Sequence, residues 1–116
     1  MERTKVVLDT NFLIYCVRYK INFFDEMEDH ELYLVEPVLR EVEKISKGKS
    51  KNAPFARVAL RMIKDMEILK SDLKADDSLV FYSKKGYAVA TQDKELQKRC
   101  KDEVFFVRQK KFIRSI

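Results

Sequence analysis

Glycine and proline are scarce in this chain, with two of each among 116 residues. Glycine-rich or proline-rich stretches, which characterise linkers and low-complexity segments, are therefore excluded. The composition is 46% hydrophobic and 37% charged, which is typical of a compact, helix-rich globular protein. A chain of this length can bury a hydrophobic core without disulfide bonds. We therefore expect a single domain that covers residues 1–116.

Cysteine and histidine are equally scarce. Cys16, Cys100 and the single His30 lie far apart in the sequence, and this spacing argues against a zinc site or a disulfide framework. Isolated cysteines are typical of a reducing compartment, so we expect a cytoplasmic protein. The first predicted strand begins almost at once, so we expect no signal peptide. No apolar run reaches the length of a membrane span, and we expect no membrane partner.

Basic residues outnumber acidic ones. The chain has 24 Lys and Arg against 19 Asp and Glu, a formal net charge of +5 and a pI near 9.2. Such a balance favours a polyanionic partner such as a nucleic acid. Ordinary solubility explains a charge of this size equally well.

Short apolar runs alternate with helical patterns along the whole chain. The predicted strands cover residues 5–9, 31–36, 67–70, 87–91 and 104–107. The predicted helices cover residues 10–20, 22–28, 37–47, 54–64, 76–85 and 92–101, and Gly48 and Gly86 are expected to end two of them. Strands that alternate with helices pair in parallel and carry helices on both faces. We therefore expect an α/β protein whose ligand binds beyond the carboxyl ends of the strands.

Acidic residues accompany these apolar runs at four places. Asp9 ends the first predicted strand, Glu41 lies one turn into the helix after the second, and Asp93 follows the fourth. Asp76 and Asp77 open the helix before the fourth strand. Carboxylates gathered at one edge of a sheet repel each other, and a divalent cation relieves this repulsion. Oxygen ligands suit Mg²⁺ or Mn²⁺, so the pattern predicts a metal-dependent enzyme that acts on phosphates.

Each of these acidic residues also has a purely structural explanation. Asp9 and Asp93 lie where helix N-caps are found. Glu41 lies beside an apolar stripe, where a buried carboxylate would need a Lys or Arg partner. Helical periodicity does not distinguish Asp76 from Asp77, so we expect one to be a ligand and the other a cap.

Four segments resemble the motifs of the PIN-domain nuclease superfamily, at residues 7–12, 37–42, 75–80 and 89–96. Their order and spacing match across nearly the whole chain. Residues 58–65 and 75–80 also resemble the PIN branch of the eukaryotic small-subunit processome, which is implicated in cutting precursor ribosomal RNA. The lysine-rich composition and small size suggest an archaeal member.

The resemblance implies a three-layer α/β/α sandwich around a parallel sheet of four to five strands. It also implies that single-stranded RNA is cleaved with one or two Mg²⁺ or Mn²⁺ ions. The implied metal ligands are Asp9, Glu41, Asp76, Asp77 and Asp93. Asp9, Glu41, Asp77 and Asp93 form the implied catalytic set, because alignment on the following Leu-Val favours Asp77 over Asp76. Asn11 and Thr91 are implied to orient the acidic side chains.

Residues outside these motifs are candidates for RNA binding. The basic ones are Lys47, Lys49, Lys51, Arg108, Lys110, Lys111 and Arg114. A solvated surface explains any one of them equally well. The aromatic residues Tyr15, Phe23, Phe24 and Tyr82 are expected in the core rather than as platforms for stacked bases.

Two further roles stay open beside the processing of ribosomal RNA. A nuclease of this size could be the toxin of a toxin–antitoxin pair, in which case an antitoxin is its partner. An RNA-binding ribosome-assembly factor that barely cuts is the alternative from another class. PIN domains often pair, and the apolar side chains of residues 55–66 could serve either the core or a homodimer.

Overall fold

The computed structural model describes residues 3–101 and 103–116, which form alternating strands and helices. The strands are β1 (Thr4–Leu8), β2 (His30–Val35), β3 (Glu67–Leu69), β4 (Ala88–Ala90), β5 (Val104–Arg108) and β6 (Phe112–Ser115). The helices are α1 (Thr10–Arg18), α2 (Phe23–Glu26), α3 (Glu36–Ser46), α4 (Ala53–Met62), α5 (Ala75–Lys84) and α6 (Lys94–Arg99). Every predicted strand and helix is present, with ends that shift by a few residues.

The six strands form one sheet in the order β3-β2-β1-β4-β5-β6. The five predicted strands pair in parallel, which confirms the predicted α/β architecture with helices on both faces. The order of the strands reverses between β1 and β4, because β1 leads to β2 on one side and β4 leads to β5 on the other. Such a reversal opens a crevice at the carboxyl ends of the two strands.

The sixth strand was not predicted from the sequence. β6 pairs antiparallel with β5 through a tight turn, and Gln109 and Lys110 in that turn have φ values of 56° and 57°. A hairpin turn of this kind normally contains Asn-Gly. The usual sequence signal of a hairpin is therefore missing, so turn residues alone do not predict β6.

The core lies on the two central strands and on α1. All residues of β4 and the last three of β1 are buried, as expected of strands that are covered on both faces. In α1, Phe12, Leu13 and Cys16 are fully buried, which confirms that this helix is central. Burial of one large apolar side chain contributes about 1.5–3 kcal/mol, so this packing fixes the start of α1 against the ends of β1 and β4.

Local sequence explains where the helices begin and end. Asp9 caps α1, and Pro37 lies in the first turn of α3, where its missing N–H is not needed. Gly86 follows α5 with a φ of 96°, which confirms it as a left-handed terminator. Helix α3 ends at Ser46, and the Gly48 N–H then donates to the Ile45 carbonyl (3.1 Å). None of the helices in the described residues is long and apolar enough to span a membrane.

Candidate active site

An open cleft of about 410 Å³ lies beyond the carboxyl ends of β1 and β4, where the strand order reverses. We call it the acidic cleft. Its lining residues are Asp9, Thr10, Asn11, Ile14, Tyr15, Arg18, Glu41, Ile45, Asn52, Asp76 and Asp93. Four of them are carboxylates that come from four separate places in the sequence, as the sequence predicted.

Asp9 is the most deeply buried of the four acidic residues, with 5% of its surface exposed. Its backbone N–H donates to the Ala90 carbonyl (2.8 Å), which fixes the end of β1 against β4. One carboxylate oxygen, Oδ1, accepts from the Thr10 N–H (2.8 Å). The other, Oδ2, accepts from the Thr91 hydroxyl (2.7 Å). Asp9 therefore caps α1 and lines the acidic cleft at the same time, so its two explanations are compatible.

The buried position changes the acidity of Asp9. Burial raises the pKa of this carboxyl from 3.8 to about 6, against the opposing hydrogen bonds from Thr91 and Thr10. The negative charges of Asp76 and Glu41 raise the same pKa further. The charges of Asp76 and Glu41 thus act on the Asp9 carboxyl across the cleft. A cation placed among them would stabilise the ionised form of Asp9.

A polar network holds the Asp9 side chain in place. Thr91 is fully buried, and its hydroxyl also lies 3.3 Å from the Asn11 side-chain oxygen. That same Asn11 oxygen accepts from the Gln92 N–H (3.1 Å). The Asp93 N–H donates to the Thr91 hydroxyl (3.1 Å). Thr91 therefore contacts the Asp9 carboxylate directly, whereas Asn11 is linked to the acidic residues only through Thr91 and the Gln92 backbone.

Asp93 also acts as the N-cap of α6. Its Oδ1 accepts from the N–H groups of Glu95 (2.9 Å) and Leu96 (3.3 Å), and it thereby caps α6. A carboxylate has two oxygens, so a residue that caps a helix with one can still present the other to the cleft. Capping of α6 and binding of a ligand in the cleft are therefore compatible roles for the Asp93 side chain.

Consecutive residues at the start of α5 point in different directions. Asp76 lines the acidic cleft, whereas Asp77 does not. The Asp77 Oδ1 instead accepts from the Arg99 guanidinium (2.7 Å), and both side chains are about half exposed. The preference for Asp77 over Asp76 does not fit this geometry. Neighbouring residues on a helix are about 100° apart, and here Asp76 borders the cleft while Asp77 is directed to Arg99 of α6.

Glu41 lines the cleft from α3, but it is exposed rather than turned toward the core. Val38 and Val42 on the same helix are fully buried. The expectation that Glu41 is a buried carboxylate in need of a partner is therefore wrong. Among the described residues no Lys or Arg forms an ion pair with it, and its carboxylate is open to a ligand in the cleft.

One buried polar atom in the cleft lacks a partner. The Thr10 hydroxyl is buried, Thr10 is 3% exposed, and no donor or acceptor of the described residues reaches the hydroxyl. A buried hydroxyl without a partner is costly, and a ligand, water or ion in the cleft would supply one. The donor set also fits a hard cation, because it consists of carboxylate and hydroxyl oxygens.

The acidic side chains share the cleft without closing around one point. Among residues 3–101 and 103–116, no three Asp, Glu, His or Cys side chains form a group that is ready to hold a metal ion. Mg²⁺ keeps several of its waters and is commonly bound through one or two carboxylates. The residues present therefore fit Mg²⁺ or Mn²⁺ through a subset of the four carboxylates.

The opposite wall of the acidic cleft was missed by the sequence reasoning. It comprises Ile14, Tyr15 and Arg18 of α1, together with Ile45 and Asn52. Tyr15 was expected in the core, but it is half-buried and borders the cleft. Asn11, Ile14, Tyr15 and Arg18 follow the i, i+3, i+4, i+7 spacing of one helical face. Extending the motif along that face would have predicted this wall.

The predicted basic residues lie outside the acidic cleft. Lys47, Lys49 and Lys51 are exposed in the connection between α3 and α4, next to Asn52 of the cleft wall. Lys110 and Lys111 line a second cleft of about 300 Å³. Arg108 ends β5 and Arg114 lies in β6, both exposed. None of these residues lines the acidic cleft.

Known proteins match this chain over most of its length. A family model described as a PIN like domain matches residues 6–110, which include every residue of the acidic cleft. Ribonuclease VapC4 of Methanocaldococcus jannaschii is 35% identical over 122 aligned positions, covering 93% of both proteins. Ribonuclease VapC9 of Archaeoglobus fulgidus is 31% identical over 102 positions, covering 82% of this chain and 74% of the relative. The solved structure of the PIN domain endonuclease Utp24 is similar with a TM-score of 0.79 and 30% identity, covering 96% of this chain and 90% of that one.

Proposed function

From the premise that this chain belongs to the PIN-like domain family, we propose that it is a metal-dependent endoribonuclease. Its substrate is single-stranded RNA, and it hydrolyses the phosphodiester bond with Mg²⁺ or Mn²⁺. The observation that carries the proposal is the acidic cleft, where four carboxylates converge on the point at which the strand order reverses. Two relatives named as ribonucleases and a similar structure named as an endonuclease support the same activity.

Asp9, Asp76 and Asp93 would hold the metal, and Glu41 would complete the site from α3. One or two bound ions would lower the pKa of water and stabilise the charge that develops on the phosphate. Thr91 keeps the Asp9 carboxylate in one orientation through its 2.7 Å hydrogen bond. The Thr10 hydroxyl has no partner among the described residues, and Thr10 lines the cleft beside Asp9.

The test is the cleavage of end-labelled single-stranded RNA in Mn²⁺, Mg²⁺ or EDTA. We expect cutting by the wild type with metal, no cutting in EDTA, and a loss of more than about a hundredfold in Asp9→Asn. Asp65→Asn, which removes an equal charge at an exposed position, serves as the control. Equal cutting by the wild type and Asp9→Asn would reveal a contaminating nuclease and contradict the proposal.

The relatives named VapC favour a role as the toxin of a toxin–antitoxin pair, with an antitoxin as the protein partner. Expression of such a toxin arrests growth, and Asp9→Asn should abolish the arrest. Co-expression of a protein encoded beside this chain should relieve it. Growth at the normal rate with active enzyme present would argue against this role.

A role in processing precursor ribosomal RNA is the second candidate, in the cytoplasm. It is favoured by the resemblance of residues 58–65 and 75–80 to the processome branch, and by the likeness to the Utp24 structure. Depletion of the protein should then cause an uncut ribosomal precursor to accumulate, and Asp9→Asn should fail to restore its cleavage. Restoration by Asp9→Asn would instead support a ribosome-assembly factor that binds RNA without cutting.

A further inference from the structure

Helix α1 connects the acidic cleft to the second cleft. Tyr15 and Arg18, near the end of the helix, line the acidic cleft. Tyr19, the residue that caps the helix, lines the second cleft of about 300 Å³. Tyr15 and Tyr19 are four residues apart, a distance of about 6 Å along a helix. This distance corresponds to roughly two steps of a stacked nucleic acid strand at about 3.4 Å each.

Aromatic and cationic groups are continuous along this route. The Tyr15 and Tyr19 rings lie 4.6 Å apart between centroids, at an angle of 50°. The Arg18 guanidinium lies 5.5 Å from the centroid of the Tyr19 ring, and the Lys110 ammonium lies 5.3 Å from the same centroid. Such cation–π contacts hold long, flexible side chains in place. Arg18 and Lys110 are therefore held against the Tyr19 ring, next to the Tyr15 ring that borders the acidic cleft.

The second cleft contains three lysines that form no ion pair with an acidic residue of the described part of the chain. Lys20, Lys110 and Lys111 line it, with Asp25 and Glu26 on its remaining wall. In the part of the chain that the structure describes, the ion pairs are Lys98–Glu95 and Arg99–Asp77. None of the three lysines takes part in an ion pair there, so their charges are available to a phosphate backbone.

The backbone at two of these lysines has an unfavourable conformation. Lys20 has a φ of 59° and Lys110 a φ of 57°, in the left-handed region that favours glycine. Lys20 lies just after the cap of α1, where Gly or Asn is the usual residue. Lys110 lies in the β5–β6 turn, where Gly is usual. A residue other than glycine at such positions costs stability, and Gln109, next to Lys110, has the same conformation with a φ of 56°.

We propose that single-stranded RNA leaves the acidic cleft along the end of α1. A base next to the scissile phosphate stacks on Tyr15, and the following phosphates contact Arg18, Lys20, Lys110 and Lys111. This inference rests on the proposed function, since it extends the RNA from the same cleft. It assigns the end of α1 and the β5–β6 turn, rather than the lysines around Gly48, as the main path of the strand.

The experiment measures the affinity of a fluorescent oligouridylate of about eight nucleotides in EDTA, at several salt concentrations. The test variant is Lys20→Gly with Lys110→Gly, because glycine relieves the strained backbone and keeps the protein folded. The control is Lys84→Gln with Lys85→Gln, which removes the same charge from the end of α5. Lys20→Arg with Lys110→Arg keeps the charge and should retain the affinity.

We expect the glycine variant to bind more weakly and to depend less on salt. Each lost phosphate contact lowers the slope of log affinity against log salt by about 0.7 for single strands, so two contacts lower it by about 1.4. The control should keep the wild-type slope. Tyr15→Leu should weaken binding by about fivefold or more through lost stacking, with a smaller effect on the slope. An unchanged slope in the glycine variant would overturn the proposed path.

Photo-cross-linking supplies an independent readout. An oligonucleotide that contains 5-iodouridine should cross-link to Tyr15, and mass spectrometry identifies the residue. Cross-links confined to the segment around Gly48 would overturn the path. If the glycine variant binds RNA like the wild type while the wild type still cuts RNA, the proposed path is wrong and the proposed nuclease activity is unaffected. If the wild type neither binds nor cuts RNA, the proposed function fails and the path fails with it.

Discussion

At the scale of single residues, Asp9 combines a favourable local interaction with an unfavourable charge. Its carboxylate caps α1 and accepts from Thr91, yet burial and the neighbouring Asp76 and Glu41 penalise its ionised form. A rise of its pKa from 3.8 to about 6 corresponds to about 3 kcal/mol, at about 1.4 kcal/mol per pKa unit. The metal-free protein is therefore less stable at neutral pH than it would be with a neutral group at this position.

Asp9→Asn should consequently stabilise the metal-free protein while it abolishes activity. The new amide can still accept from the Thr10 N–H and can donate to the Thr91 hydroxyl, so the local contacts survive. We expect a gain of about 1–3 kcal/mol in the free energy of unfolding in EDTA at about pH 7.5. Chemical denaturation measures this gain, with Asp65→Asn as the exposed control. A loss of stability would show that the hydrogen bonds outweigh the desolvation of the charge.

The sign of the pH dependence follows from the raised pKa. Between about pH 4 and pH 6 the folded wild type keeps a proton on Asp9 that the unfolded chain has released. The contribution of Asp9 to stability is therefore fully present below about pH 4 and is lost as the pH rises through about 6. The advantage of Asp9→Asn should thus shrink toward zero near pH 4. An advantage that stays constant with pH would assign the effect to packing rather than to charge.

At the scale of elements, the first turn of α5 decides which aspartate enters the site. Asp76 borders the acidic cleft, and Asp77 pairs with Arg99 of α6. Asp76→Asn should lower cleavage by more than about a hundredfold. Asp77→Asn should leave most of the activity, because it breaks a half-exposed ion pair of small energetic value. The ratio of kcat/KM for the two variants measures the difference, and a greater loss in Asp77→Asn would restore the alignment-based choice.

The same turn shows what the sequence could and could not predict. Strands, helices and the gathering of Asp9, Glu41 and Asp93 follow from apolar periodicity and from the rule that parallel strands end at one edge. The choice between Asp76 and Asp77 does not follow, because both are exposed and neither belongs to the buried stripe of α5. Tyr15 packs against the core, as expected, but its second role at the cleft was not predicted. It adjoins the buried Cys16 of α1, yet it belongs to the face that borders the cleft.

At the scale of the whole molecule, β6 lies at one edge of the sheet and outside the family match, which ends at residue 110. It covers β5, and Ile116 exchanges backbone hydrogen bonds with Val104 (3.3 and 2.9 Å). Among the described residues, the acidic cleft has no lining residue from β6. It is connected to β5 through Gln92, whose side chain accepts from the Val107 N–H (2.6 Å) and donates to the Val107 carbonyl (3.2 Å). The strand that covers the edge of the sheet, β6, is thus separate from the acidic cleft.

Truncation after Lys110 should therefore lower stability more than activity. The loss of the half-buried Ile113 and of the β5–β6 hydrogen bonds should cost roughly 2–4 kcal/mol in the free energy of unfolding. The exposed edge of β5 should also increase aggregation. At saturating RNA, cleavage per folded molecule should persist below the unfolding temperature, because Gln92 keeps its hydrogen bonds to Val107 of β5. The loss of Lys111 should weaken RNA binding and raise KM. Phe112→Thr, which changes an exposed side chain but retains the strand, is the control. Equal thermal midpoints for the truncated and full-length chains would show that β5 does not need to be covered by β6. Loss of cleavage at saturating RNA in a folded truncated chain would show that β6 supports the site.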